Sequence, residues 1–141
     1  MPHQVIVTST LRGRVPSKLL RNACLATLKH ERAPSAQIEV LVTGASRMRA
    51  INKKHLKHDY VTDVLSFNLG STPGTALLGQ IVICKVFAEK EARARNISTA
   101  KELARYVIHG TLHLLGYDDH SERARAKMWK TQERIVKMVV R

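Results

Sequence analysis

Residues 99–120, "TAKELARYVIHGTLHLLGYDDH", carry apolar side chains at helical intervals as far as Leu115, then a glycine, two carboxylates and a histidine. Thr99 and Glu102 have the Thr-x-x-Glu spacing of a capping box, in which each side chain satisfies a free backbone donor at a helix start. The helix so begun runs to about Leu115, and Gly116 supplies the left-handed conformation that turns the chain back. His109 and His113 are four residues apart, so their imidazoles project from one helical face about one turn from each other. The reversed chain brings Asp119 or His120 to a third corner and leaves a fourth position for water, which is how a catalytic zinc site differs from a structural one. The spacing of histidine, histidine at +4, glycine at +7 and ligand at +10 is that of a metzincin-like metal helix, with Asp119 at +10 and His120 at +11. A lone histidine here would more often be a satisfied core residue; the glycine turn and the Asp-Asp-His cluster argue for a site. Metalloproteases of the His-Glu-x-x-His kind place a glutamate after the first histidine to deprotonate water. Here that position is Gly110, so peptide hydrolysis by that route lacks its base.

Outward from this segment, strands and helices alternate. "HQVIVTS" (3–9) and "AQIEVLVT" (36–43) are β-branched and alternating, hence strands, and "SKLLRNACLATLKH" (17–30) has helical periodicity. "GASRMRAINKKHLKH" (44–58) reads as a helix with Met48, Ile51 and Leu56 inward and a basic outer face. "TDVLSFNL" (62–69) is a strand bounded by the turn-rich "GSTPGT", and "LLGQIVICKVF" (77–87) is a buried strand leading to a helix at "AEKEARARN". The closing segment, "SERARAKMWKTQERIVKMVV" (121–140), is an amphipathic helix with Met128, Ile135 and Met138 on its apolar side and Trp129 nearby. The sum is an α+β fold, a small mixed sheet of about four strands packed by about five helices, in one domain spanning residues 1–141.

Composition agrees with such a domain. Of 141 residues, 44% are hydrophobic and 25% charged, too apolar for a disordered chain. A chain of this length buries roughly two-thirds of its unfolded surface, so no disulfide staple is needed. Cys24 and Cys84 suggest no disulfide framework and fit a reducing cytosol. No signal peptide and no apolar run near the ~18 residues of a membrane span is present, so a cytoplasmic protein is expected. The 24 Lys and Arg against 11 Asp and Glu give a net charge of +13, enough to attract RNA, DNA or an anionic membrane surface. Between Val40 and His58 there is no acidic residue, while Arg47, Arg49, Lys53, Lys54 and Lys57 form a basic run leading towards the metal segment. That run suits phosphates, with Tyr60 and Phe67 as the nearby stacking residues.

"HGTLHLLGYDDH" (109–120) resembles the His-Gly-x-Leu-His-Leu-x-Gly-Tyr-Asp-His signature of the YbeY endoribonucleases, and "TDVLSF" (62–67) resembles that family's second motif. The resemblance runs from about Gln4 to Val139. It implies one zinc ion per chain held by the signature, single-strand-specific RNA cleavage, ribosomal RNA maturation and ribosome quality control, with RNA and the ribosome or its proteins as partners and no membrane. Three departures stand out. The family's third ligand is usually a histidine at +10, where this chain has Asp119; either that carboxylate coordinates, which needs no backbone change, or a one-residue bulge brings in His120. The arginine that many relatives carry before the second motif falls near Leu56, so its role passes to Lys57 or His58 or is absent. The family's Gly-Asp-Ile reads Gly79, Gln80, Ile81. Asp63 and Ser66 are either substrate or outer contacts of the site or simply strand-start and packing residues.

The leading reading is therefore a zinc endoribonuclease in which His109, His113 and Asp119 or His120 hold the ion and Lys57, Arg49 or their neighbours offset transition-state charge. The rivals are a metal-dependent peptide hydrolase and a ribosome-associated RNA-binding protein whose metal, closed by both Asp119 and His120, only braces the fold.

Overall fold

Alternation along the strands fixes which face of the sheet each helix covers. The computed structural model describes residues 3–56, 62–72 and 75–140. Its elements are β1 (Gln4–Ser9), α1 (Ser17–His30), β2 (Ala36–Thr43), α2 (Ala45–Leu56), β3 (Val64–Thr72), β4 (Thr75–Cys84), α3 (Lys85–Arg95), α4 (Thr99–Leu114) and α5 (Glu122–Val139). The sheet order is β1-β2-β4-β3, with β1, β2 and β4 parallel and β3 antiparallel to β4, so the expected mixed sheet of four strands and five helices is present. Successive residues of a strand point to opposite faces. Ile81 and Ile83 of β4 join Val40 and Val42 in the larger core with Leu20, Ile108, Leu112 and Ile135 of α1, α4 and α5. Val82 and Cys84 join Leu65 and Met48 in a smaller core under α2. The run Ile81–Cys84 is fully buried because β4 is covered on both faces.

Several boundaries differ from the sequence reading. β3 continues through Gly70 to Thr72 rather than stopping at Leu69, with register shifts beside Gly70, whose φ of +98° and contact with Asn68 Oδ1 absorb the irregularity. The turn-rich composition signalled a bulge as much as a loop. Lys85, Val86 and Phe87 open α3 instead of ending the preceding strand, since Ala88 and Ala92 supply a buried i, i+4 stripe. α4 starts one residue earlier than a Thr99 cap implies. Ser98 is the N-cap, its Oγ accepting from Lys101 N at 3.1 Å. That leaves Glu102 too deep in the helix for a capping box. It is buried and paired with Arg105. On α5, Met128 and Ile135 are buried as expected, but Met138 is 53% exposed; Gln132 and Val136 complete the buried stripe. No helix among the described residues is long and apolar enough to cross a membrane.

Candidate metal centre and the cleft around it

Two glycines let α4 approach the sheet closely. A Cβ built on Gly110 would stand 2.7 Å from Ile81 Cγ2 and 3.0 Å from Ser66 Oγ, and one on Gly79 would stand 2.6 Å from Leu114 Cδ1. Ser66 Oγ donates to the Gly110 carbonyl at 3.0 Å, tying β3 to the helix at the same point. The position where a metalloprotease carries its glutamate thus faces β4 with no room for a side chain, which removes the ground for a peptide hydrolase of that kind.

The close approach carries His109 and His113 to the edge of a cleft opened by the start of β3. Their Nε2 atoms lie 3.1 Å apart, with the rings at 80°. The other nitrogen of each ring is engaged. His109 Nδ1 is 2.7 Å from Gln132 Oε1, and the amide nitrogen of Gln132 donates to Glu133 Oε2 at 3.0 Å, which fixes the oxygen towards the histidine. His113 Nδ1 is 3.0 Å from the Tyr117 carbonyl. Carbonyl oxygens only accept, so each Nδ1 donates, and the two Nε2 atoms are left to face each other at the cleft. Metal-bound histidines are commonly oriented by this kind of Nδ1 hydrogen bond. Burial, and then the neighbouring His109, lower the pKa of His113, against opposing pulls from Asp119, the Tyr117 carbonyl and Asp118.

The turn after α4 is well pinned. Gly116 has φ +103°, its N–H donates to the His113 carbonyl and the Tyr117 N–H to the Leu112 carbonyl, both at 3.0 Å, a Schellman closure. The Tyr117 hydroxyl donates to Glu31 Oε1 at 2.5 Å, anchoring the turn on α1 and holding its carbonyl against His113. Beyond the turn, Asp119 lines a cleft of about 490 Å³ together with both histidines, Asp63 and Ser66. His120 is exposed and is not among the residues lining that cleft; its N–H turns to Asp118 Oδ1 at 3.1 Å. Among the described residues no set of three His, Cys, Asp or Glu side chains is closed tightly enough to hold an ion. The structure therefore brings two of the expected ligands together and sets Asp119 in the wall beside them.

The other predicted residues are placed as follows. Arg47, Arg49, Lys53 and Lys54 are exposed on α2, which covers the opposite face of the sheet, and none of them lines the cleft. Lys57, His58 and Tyr60 lie outside the described residues. Asp63 both lines the cleft and starts β3, its Oδ1 accepting from Val64 N at 2.8 Å. Ser66 combines lining with the helix tie. Phe67 packs edge-on to His55 in the smaller core, 5.5 Å between centroids. Gln80 donates to Glu39 Oε1 at 2.6 Å.

Sequence reasoning missed Gln132, a polar residue on the stripe Met128, Gln132, Ile135, Val136; its place on an apolar stripe was the available signal. It also missed the buried cluster in which Arg105 pairs with Glu102 and, at 2.8 Å, with Glu133. That cluster joins α4 to α5 behind His109.

Comparison with known proteins agrees with this geometry. Residues 9–140 match the family model described as endoribonuclease YbeY. A Chloroherpeton thalassium protein named endoribonuclease YbeY is 33% identical over 130 residues, 92% of this chain and 91% of that one. A protein of the same name from Chlorobium luteolum is 33% identical over 138 residues, 98% of this chain and 99% of that one. The solution structure of a Thermotoga maritima protein superposes with a TM-score of 0.67 at 29% identity, covering 96% of this chain and 89% of the other. With the family match extending over nearly the whole length and relatives aligned end to end, the chain belongs to the endoribonuclease YbeY family.

Proposed function

We propose that this protein is a zinc-dependent, single-strand-specific endoribonuclease of the cytoplasm, acting on ribosomal RNA in maturation and quality control at the ribosome. The observation that carries the metal part of this reading is the convergence of the two Nε2 atoms at 3.1 Å with both Nδ1 atoms tied back to carbonyl oxygens. Two imidazole Nε2 atoms so placed, with the Asp119 carboxylate in the same wall, are a donor set that fits zinc. His109, His113 and Asp119 would hold the ion, Asp119 being preferred to His120 because it lines the cleft. Bound there, zinc supplies Lewis-acid polarisation of a phosphate and a lowered pKa for water, towards about 7.

The chain's own contribution is positioning. Gln132 and the Tyr117 carbonyl hold the two rings in the Nδ1-protonated tautomer. Arg125 Nη1 donates to the Asp119 carbonyl at 3.0 Å and lines a smaller cavity with His109 and Asp119. Its guanidinium brings positive charge to the edge of the cleft, where phosphate charge grows in the transition state. The net charge of +13 supports a polyanionic substrate, and the family membership supports RNA.

Replacing both His109 and His113 with alanine tests the reading. Zinc binding and cleavage of a single-stranded RNA should both disappear; cleavage retained by that variant overturns it.

A further inference from the structure

A second cavity, of about 320 Å³, adjoins the cleft and shares His109 and the start of β3 (Thr62, Asp63 and Val64) with it, its other walls being α3, α4 and α5. Its size is at the lower end of small-molecule sites, about 300–1,000 Å³. Trp129 and Phe87 stand in its wall. Trp129 is 49% exposed, unusual for the chain's sole tryptophan, and the Arg95 guanidinium lies 5.7 Å from its ring centroid. The Tyr106 hydroxyl also belongs to this wall; Tyr106 is 4% exposed and its oxygen has no hydrogen-bond partner among the described residues. A buried hydroxyl without a partner costs free energy that a bound polar group would recover.

Both arginines of this cavity have carboxylate partners, and its third carboxylate, Asp63, accepts from Val64 N and Thr62 Oγ1. Glu91 pairs with Arg95 at 3.5 Å, and Glu102 pairs with Arg105. A wall whose two arginines are already paired, with an added carboxylate, two aromatic rings and an unused hydroxyl, suits a flat, neutral, hydrogen-bonding heterocycle better than a phosphate. Exposed positive charge lies outside instead, on Arg123, Lys130 and Arg134 of α5, and on Lys127 over the Tyr117 ring. The cavity also shares His109 and Gln132 with the candidate metal centre, so an occupant sits directly beside it.

We infer that this cavity is a nucleobase subsite, in which one base of the RNA stacks on Trp129 and hydrogen-bonds to the Tyr106 hydroxyl while the basic outer face of α5 carries the adjoining phosphates. The inference rests on the RNA-cleaving reading above and adds to it the α5 side as the path of the strand.

The sole tryptophan is its own reporter. Zinc-loaded protein is titrated with single-stranded 2′-O-methyl hexanucleotides, whose backbone resists hydrolysis, following Trp129 emission and, with labelled strands, anisotropy. Emission should be quenched saturably with the same midpoint as the anisotropy. Trp129→Ala should weaken binding about 5- to 100-fold, the range of one lost stacking contact, and Trp129→Phe should restore most of it. Tyr106→Phe should leave folding stability equal or higher, because an unpaired hydroxyl is removed, yet change the ranking among the four homopolymers. RNA that binds by anisotropy with Trp129 silent, or with equal affinity for Trp129→Ala, overturns the subsite alone. Absence of any binding by anisotropy overturns the RNA reading and the subsite with it.

Discussion

Gln132 Oε1 accepts a hydrogen bond from His109 Nδ1 at 2.7 Å, although the two residues are 23 positions apart and on different helices. The contact sets the tautomer of the ring whose other nitrogen faces the cleft. Outer partners of this kind change metal affinity by about 10- to 100-fold. Gln132→Leu should therefore weaken zinc binding by that amount while the protein stays folded, as measured by competition with a chromophoric chelator. Unchanged affinity would show that the ring needs no such support.

Asp119 and His120 give opposite expectations. Asp119 lines the cleft with both histidines, and His120 is exposed outside it. Asp119→Ala should lose zinc and RNA cleavage, whereas His120→Ala should keep both within a few-fold. The reverse pattern would mean that the chain after Gly116 rearranges by one residue on binding.

Gly110→Ala should destabilise the fold by about 1–3 kcal/mol, as overpacking does, because the new methyl group meets Ile81 at 2.7 Å and Ser66 at 3.0 Å. Urea unfolding of the metal-free protein reads this directly. A neutral result would mean that α4 slides freely on the sheet.

Glu133 sets an acid limit on stability. Burial by itself would raise its carboxyl pKa, but the hydrogen bonds from Arg105 and Gln132, with the charge of Arg105, outweigh it and leave the value lowered. A group with a depressed folded value stabilises fully above its unfolded pKa, near 4.3, and that contribution is lost as pH falls through the folded value. Its contribution to stability in urea should hold from pH 7 to about 5 and decline below that, beneath the earlier loss that the depressed His113 brings as pH falls below about 6.5. Glu133→Gln should flatten the decline. Arg105→Met should cost about 3–5 kcal/mol at pH 7, since it strands the buried Glu102 carboxylate.

Cys24 should be inert to thiol reagents in the native state. It is fully buried, and burial pushes its thiol pKa to about 12 despite the hydrogen bond from Thr111. Reaction with a disulfide reagent should require unfolding, so a rapid native-state reaction at Cys24 would point to local opening between α1 and α4.

Local patterning made most of the fold legible. α1 and β2 fall on residues 17–30 and 36–43, the spans their periodicity gives, because one apolar face met one core. The misreadings came from tertiary forces. Pairing with β4 drew Gly70 to Thr72 into a strand, and the buried ion pair with Arg105 took Glu102 out of the cap. At the site, His109, His113, Gly116 and Asp119 are neighbours in sequence and could be read from spacing alone. Gln132 and Trp129 reach the same place only through the packing of α5 on α4, which no local window contains, whereas Tyr106 stands on α4 itself, one turn before His109. The basic run on α2 shows the converse, since charge read along the chain gave no hint of which side of the sheet it would occupy.

Gly110 places a bare hydrogen between the helix that bears the imidazoles and the strand beneath it. Cohesion and chemistry thus share one seam. Anything that prises the helix away shifts both rings as one body, so heating should erode zinc retention and tertiary order together rather than in sequence.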